Sequence, residues 1–198
     1  MAPAPVSPYL SEEEYLALDR AAEQRSEYYD GQMYAMAGGT GRHSKIGGNL
    51  FAEFRSRLRG NPCEPFNSGM RVRIPKTGSY VYADLALLCG EEARLASAGD
   101  IAENPILVAE VLSPSTERFD RGAKFDKYRT IDSLREYMLV SQDEPLVELF
   151  SRQPGNRWLL TIARGLDASI RIDSLHCEIP LAGIYENVAM DAAEPPDP

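Results

Sequence analysis

Pro105 to Leu112 reads Pro-Ile-Leu-Val-Ala-Glu-Val-Leu, apolar on both alternating faces apart from one acid, Glu110. A strand of this kind is buried on both sides. It therefore needs a sheet covered by other layers above and below. It also needs a reason for the acid, since a carboxylate is costly to bury unless something pairs with it or binds to it.

A second acid sits in a similar setting. Ser79-Tyr-Val-Tyr-Ala-Asp84 runs on through Leu85 to Cys89, with Val81, Ala83, Leu85 and Leu87 on one face and Tyr82, Asp84, Ala86 and Leu88 on the other. Both faces are largely apolar, so Tyr80–Cys89 reads as one central strand. Downstream, Asp120, Lys124 and Tyr128 recur at four-residue spacing and share one side of a helix expected over 116–130.

The flanking elements follow from local signals. Ser11 with Glu14 three residues on makes a capping box for a helix running to about residue 23. Asp30-Gly31 predicts a tight hairpin within Glu27–Met36. After Gly38-Gly-Thr-Gly41, the stripe Ile46, Leu50, Phe54 and Leu58 predicts a second helix, ended by Gly60-Asn-Pro. Further strands are expected at Gly69–Ile74, 135–141, 145–152, 157–163 and 168–173, with a short helical turn around 180–185. Strand 106–112, the helix and strand 135–141 form a crossover unit. The fold class is α/β, a mixed central sheet flanked by helices. One domain spans 11–186, between a loose Pro-rich arm at 1–10 and an acidic tail at 187–198.

Composition narrows the function classes. A formal net charge of −9 argues against a protein that coats nucleic acid, and leaves room only for a focused basic patch. Three scattered cysteines and two histidines predict neither a disulfide framework nor a zinc site, and the thiols are read as reduced. The sequence shows neither a membrane-length apolar run nor a signal-peptide pattern, so a cytoplasmic location is the expectation.

Two acids followed by a lysine can hold a hard divalent cation and act on a phosphodiester. Asp84 and Glu110 are the candidate ligands and Lys124 the candidate catalytic ammonium. His43, at the start of the second helix, is either an acid–base group or a structural helix-terminal histidine. Arg71, Arg73 and Lys76 either guide DNA or solvate an edge.

Asp84, the run Asn104 to Thr116, Asp120-Arg-Gly-Ala-Lys124, Tyr128 and Leu134-Arg-Glu-Tyr137, with Glu27-Tyr-Tyr-Asp-Gly31 and Arg42-His43 upstream, resemble the Uma family of putative restriction endonucleases. That family lies within the PD-(D/E)XK nuclease superfamily. The resemblance covers roughly residues 10–185. It implies a restriction-endonuclease-like fold, Mg2+ or Mn2+ as cofactor, and DNA as substrate. It also implies Asp84 and Glu110 as metal ligands, Glu27 as a third acid, and Lys124 as a lysine moved from strand to helix. Ala83 stands where the superfamily has Pro, and Leu112 where it has Lys. The second departure leaves two alternatives beside the metal-dependent endonuclease. One is a catalytically degenerate nuclease-fold module for binding or interaction; the other is a hydrolase or transferase of smaller phosphate esters. The strand edges of the C-terminal half suit a homodimer.

Overall fold

The computed structural model describes residues 9–36, 38–90 and 99–190. Most of the arm and of the acidic tail, residues 1–8 and 191–198, lies outside the described residues. Leu10 is docked: its N–H donates to the Gly31 carbonyl, and its own carbonyl accepts from the Tyr28 hydroxyl.

Helix α1 (Glu12–Ala21) carries the expected capping box, with Ser11 and Glu14 bonded reciprocally. Strands β1 (Ser26–Tyr29) and β2 (Gln32–Ala35) form the hairpin. Its turn residues Asp30 and Gly31 take φ of +47° and +77°, as the predicted tight turn requires. Helix α2 (Gly41–Arg57) buries Ile46, Leu50 and Phe54, the stripe read from the sequence. Strands β3 (Cys63–Asn67), β4 (Arg71–Ile74), β5 (Ser79–Tyr82), β6 (Leu85–Cys89), β7 (Ile101–Ala102) and β8 (Leu107–Val111) follow. The crossover helix comes in three pieces: α3 (Glu117–Phe119), a π-helical turn (Asp120–Lys124) and α4 (Phe125–Tyr128). Strands β9 (Glu136–Val140), β10 (Leu146–Gln153), β11 (Arg157–Arg164), β12 (Ser169–Ile172) and β13 (Cys177–Pro180), then α5 (Leu181–Ile184), complete the chain.

The principal sheet has strand order β11-β10-β9-β8-β6-β3. It is mixed, because β8 and β9 run parallel across the crossover while the other pairs are antiparallel. One face packs on α2, α5 and the β12–β13 hairpin. The other packs on the crossover helix through Tyr128, Tyr137 and Leu139, together with Val72 and Val81 of a second sheet. That second sheet, of order β2-β1-β5-β4-β7, was not read as separate. Its far face stacks Tyr28 and Tyr80 on Tyr15 of α1.

Several expectations need correcting. The single strand 80–89 is two: it leaves one sheet after Tyr82 and joins the other at Leu85. Asp84 sits at that changeover. Ser113-Pro114, by sequence a helix entry with Ser as cap, does not cap the crossover helix directly. The Ser113 hydroxyl accepts from the Thr116 N–H, one turn ahead of Glu117. Arg71 and Arg73 are both held in ion pairs: Arg71 is buried against Asp19 and Asp100, and the part-exposed Arg73 pairs with Glu12. The expectation of free thiols fails at two positions. Antiparallel pairing of β3 with β6 sets Cys63 directly opposite Cys89, and the two form a disulfide, whereas Cys177 is free. Spacing along the chain could not reveal a pairing set by β3, an element missed in the sequence. Among the described residues no helix is long and apolar enough to cross a membrane.

Candidate functional site

The register of β6 on β8 places Leu85 opposite Ala109. Asp84, at the bend just before β6, lies at the end of this pairing, beside Glu110 and Val111 of β8. Asp84 Oδ2 accepts from the Val111 N–H at 2.8 Å, which extends the ladder with a side chain where β6 begins. Glu110 alternates with Val108 and Leu112 on the face covered by the crossover helix.

That helix delivers Lys124. Its Nζ lies 2.9 Å from Glu110 Oε1, 3.3 Å from Glu27 Oε1 and 3.6 Å from Asp120 Oδ1, and it donates to the Tyr82 carbonyl at 3.3 Å. The π-helical turn holds both Asp120 and Lys124. Single π turns inside helices are common at functional sites. Leu112, where the superfamily pattern has its lysine, is buried in the apolar cluster and takes no part.

Glu27 comes from the second sheet. Alternation along β1 turns Glu27 and Tyr29 inward together. Tyr29 donates to Glu27 Oε2 at 2.6 Å, and the Tyr82 N–H donates to Oε1 at 3.2 Å. His43, in the first turn of α2, reaches Asp84 from the open side: Nε2 is 3.2 Å from Oδ2. Lys124 thus joins Glu27 and Glu110, while His43 and Asp84 form a second pair, which adjoins the first where Asp84 meets Val111 beside Glu110. Pattern reading missed Tyr29 and the main chain of Tyr82 as partners. It noticed Tyr128 on the helix face, but not that its hydroxyl donates to Glu110 Oε1 at 2.9 Å.

Four carboxylates therefore surround one ammonium and one imidazole. Burial, then Asp120 and Asp84, push the Glu110 carboxyl well above its ordinary range against the pull of Lys124. Burial also raises Asp120. Burial works against the Lys124 charge, but Glu110, Glu27 and Asp120 outweigh it and raise its pKa. Lys124 thus stays protonated at neutral pH and cannot serve as a proton acceptor. The Asp84 carboxylate raises the His43 pKa, opposed by partial burial.

The donor set suits a hard divalent ion, since every candidate ligand is a carboxylate oxygen. Among the described residues no three His, Cys, Asp or Glu side chains form a ready cage. Mg2+ does not require one: it is commonly held by one or two carboxylates, completed by water and substrate phosphate oxygens. Asp84 and Glu110 are carboxylates of the kind such an ion uses.

Outside the carboxylate cluster lies an open groove of about 470 Å3 whose wall includes Asp84, His43, Ser44, Ser68, Gly39 and Arg25.

The mixed central sheet flanked by helices is the restriction-endonuclease-like architecture. A solved structure of a putative nuclease from Anabaena variabilis, of the group DUF820, superposes with a TM-score of 0.72 at 17% identity, covering 89% of this chain and 97% of that one. Residues 12–182 match the Uma2 family, described as "Putative restriction endonuclease", and the chain belongs to that family. Two uncharacterized proteins of Synechocystis sp. are similar over most of their length. One is 35% identical over 94% of this chain and 97% of its own, the other 34% over 81% and 91%.

Proposed function

We propose that this protein is a divalent-metal-dependent endonuclease that hydrolyses DNA phosphodiester bonds. The observation carrying this reading is the approach of the Asp84 carboxylate to the Val111 N–H, next to Glu110, with the Lys124 ammonium 2.9 Å from Glu110. Asp84 and Glu110 would hold Mg2+ or Mn2+, with Glu27 as the third acid. Bound there, the ion would supply Lewis acidity and a more acidic water.

The chain's own groups divide the remaining work. The Val111 N–H and His43 fix the Asp84 carboxylate at Oδ2. Lys124 contributes a fixed positive charge that offsets charge gathering on the phosphoryl oxygens. It is anchored to both sheets, through Glu27 and Tyr82 on one side and Glu110 on the other. His43, partly exposed at the groove, is the group placed to exchange a proton with bound substrate or water.

Cleavage of duplex DNA in Mg2+ or Mn2+ tests this, with Asp84→Ala and Glu110→Gln as inactive references. Equal cleavage by wild type and Asp84→Ala protein would refute it. A second reading, a catalytically silent binding module, is favoured by the enclosure of Lys124 among three carboxylates and by the apolar Leu112. It predicts DNA binding with no metal-dependent cleavage. The homodimer belongs to the same proposal: β11 is a free edge of the principal sheet and exposes Leu159, Leu160 and Ile162.

A further inference from the structure

The carboxylate cluster carries a surplus of negative charge, and the whole chain carries −9. A polyanionic strand approaching Asp84 needs positive charge that is not already consumed. Most arginines near the two sheets are consumed: Arg20, Arg71, Arg73 and Arg121 all sit in ion pairs.

Arg25 differs. Among the described residues its polar side-chain bond runs from Nη1 to the Ser68 carbonyl at 2.7 Å, and its guanidinium lies 5.4 Å from the Tyr82 ring centroid. Neither partner is anionic, so the charge is held in place without being neutralised. The remaining N–H donors of the planar fork are available to an oxyanion. The position is stiff as well: the Arg25 carbonyl accepts from the Met36 N–H at 3.0 Å, at the open end of the β1–β2 hairpin. The side chain is exposed and lines the same groove as Asp84 and His43. Those three are the charged or titratable side chains on its wall.

We propose that Arg25 is a phosphate clamp, gripping a backbone phosphate of a nucleic-acid strand that lies in this groove beside the bond presented to Asp84. The inference rests on the nuclease reading for the identity of the strand, but not on turnover. A guanidinium grips phosphate bidentately and reads no base. Arg25 therefore governs affinity and register rather than sequence choice.

The test is fluorescence-anisotropy binding of a labelled DNA duplex to the full chain without metal, across 50 to 200 mM salt, with wild type, Arg25→Ala and Arg25→Lys. Losing one phosphate contact lowers the salt slope by about 0.9, so the wild-type advantage shrinks roughly 3.5-fold over that fourfold salt range. Arg25→Lys keeps the slope and loses part of the affinity. In parallel, hydrolysis of bis(p-nitrophenyl) phosphate, which has no neighbouring phosphate, is compared with DNA cleavage. Arg25→Ala raises KM for DNA by a larger factor than KM for the small diester, and an equal change in both overturns the clamp. A wild-type slope in Arg25→Ala, or no DNA binding by wild type, overturns the clamp. Weaker binding by Arg25→Ala in a protein that cleaves nothing supports the clamp and refutes only the enzymatic reading.

Discussion

Replacing Lys124 with Met removes the single ammonium from among Glu27, Glu110 and Asp120 while keeping most of the side-chain volume. Breaking a buried ion pair by deleting one partner costs about 3–5 kcal/mol. For a chain of this size each kcal/mol moves Tm by roughly 2–4 °C, so the expected fall is about 6–20 °C. The sign of the pH dependence follows from Glu110. Its folded carboxyl is already raised, and losing Lys124 raises it further. A raised group contributes stability that is present below its unfolded value, about 4.3, and lost as pH rises through the folded one. The deficit of Lys124→Met is therefore smaller at pH 5 than at pH 8. Adding Glu110→Gln removes the stranded charge and recovers at least about 1 kcal/mol, measured as a double-mutant cycle. The assay is thermal unfolding by circular dichroism. A fall under about 2 °C, unchanged between pH 5 and 8, would show that the lysine does not neutralise this cluster.

Asp19→Ala strands the buried Arg71 guanidinium and costs about 3 kcal/mol, the low end for such a loss because Asp100 still holds Arg71. Burial pushes the Asp19 carboxyl up, but hydrogen bonds from Tyr82, Arg71 and the Ser26 N–H prevail and hold it low. Its contribution is present above about pH 3.9 and lost as pH falls through the folded value. Acid titration followed by Tyr fluorescence should thus show a shallower loss in the variant. Reducing Cys63–Cys89, which spans 26 residues, should cost about 3.5 kcal/mol on chain-entropy grounds, read as a lower urea midpoint with reductant. Ile162→Lys on β11 should convert dimer to monomer in light scattering; a wild type that is already monomeric refutes the edge pairing.

The elements that carry chemistry were the easiest to read. Glu110 announces itself because every neighbour in its strand is apolar, and a capping box or an Asp-Gly turn is a local signal written in adjacent residues. Harder to read were features that depend on where a strand goes. Nothing local marks the change of sheet between Tyr82 and Leu85, because both halves of the run are apolar on both faces. The π-helical turn is likewise invisible, since Asp120 and Lys124 at four-residue spacing suit an α-helix equally well. Arg71 looked like a surface cation because its partner Asp19 lies 52 residues earlier on another element. Arg25 escaped notice because what sets it apart, a charge held by a carbonyl and an aromatic ring, is visible only in the structure.

The changeover at Asp84 also governs when the site can exist. Glu27 and the Tyr82 main chain belong to one sheet, Glu110 to the other, and Lys124 to the helix between them. Neither sheet alone assembles the carboxylate pair with its ammonium. The contacts that do so close loops of 42 and 55 residues, so they form late compared with any hairpin. A chain still being synthesised, or one opened by partial unfolding, holds the same residues yet has no site. The assembled cluster then arrives only with the completed fold, so whatever chemistry it supports is withheld from half-folded chains.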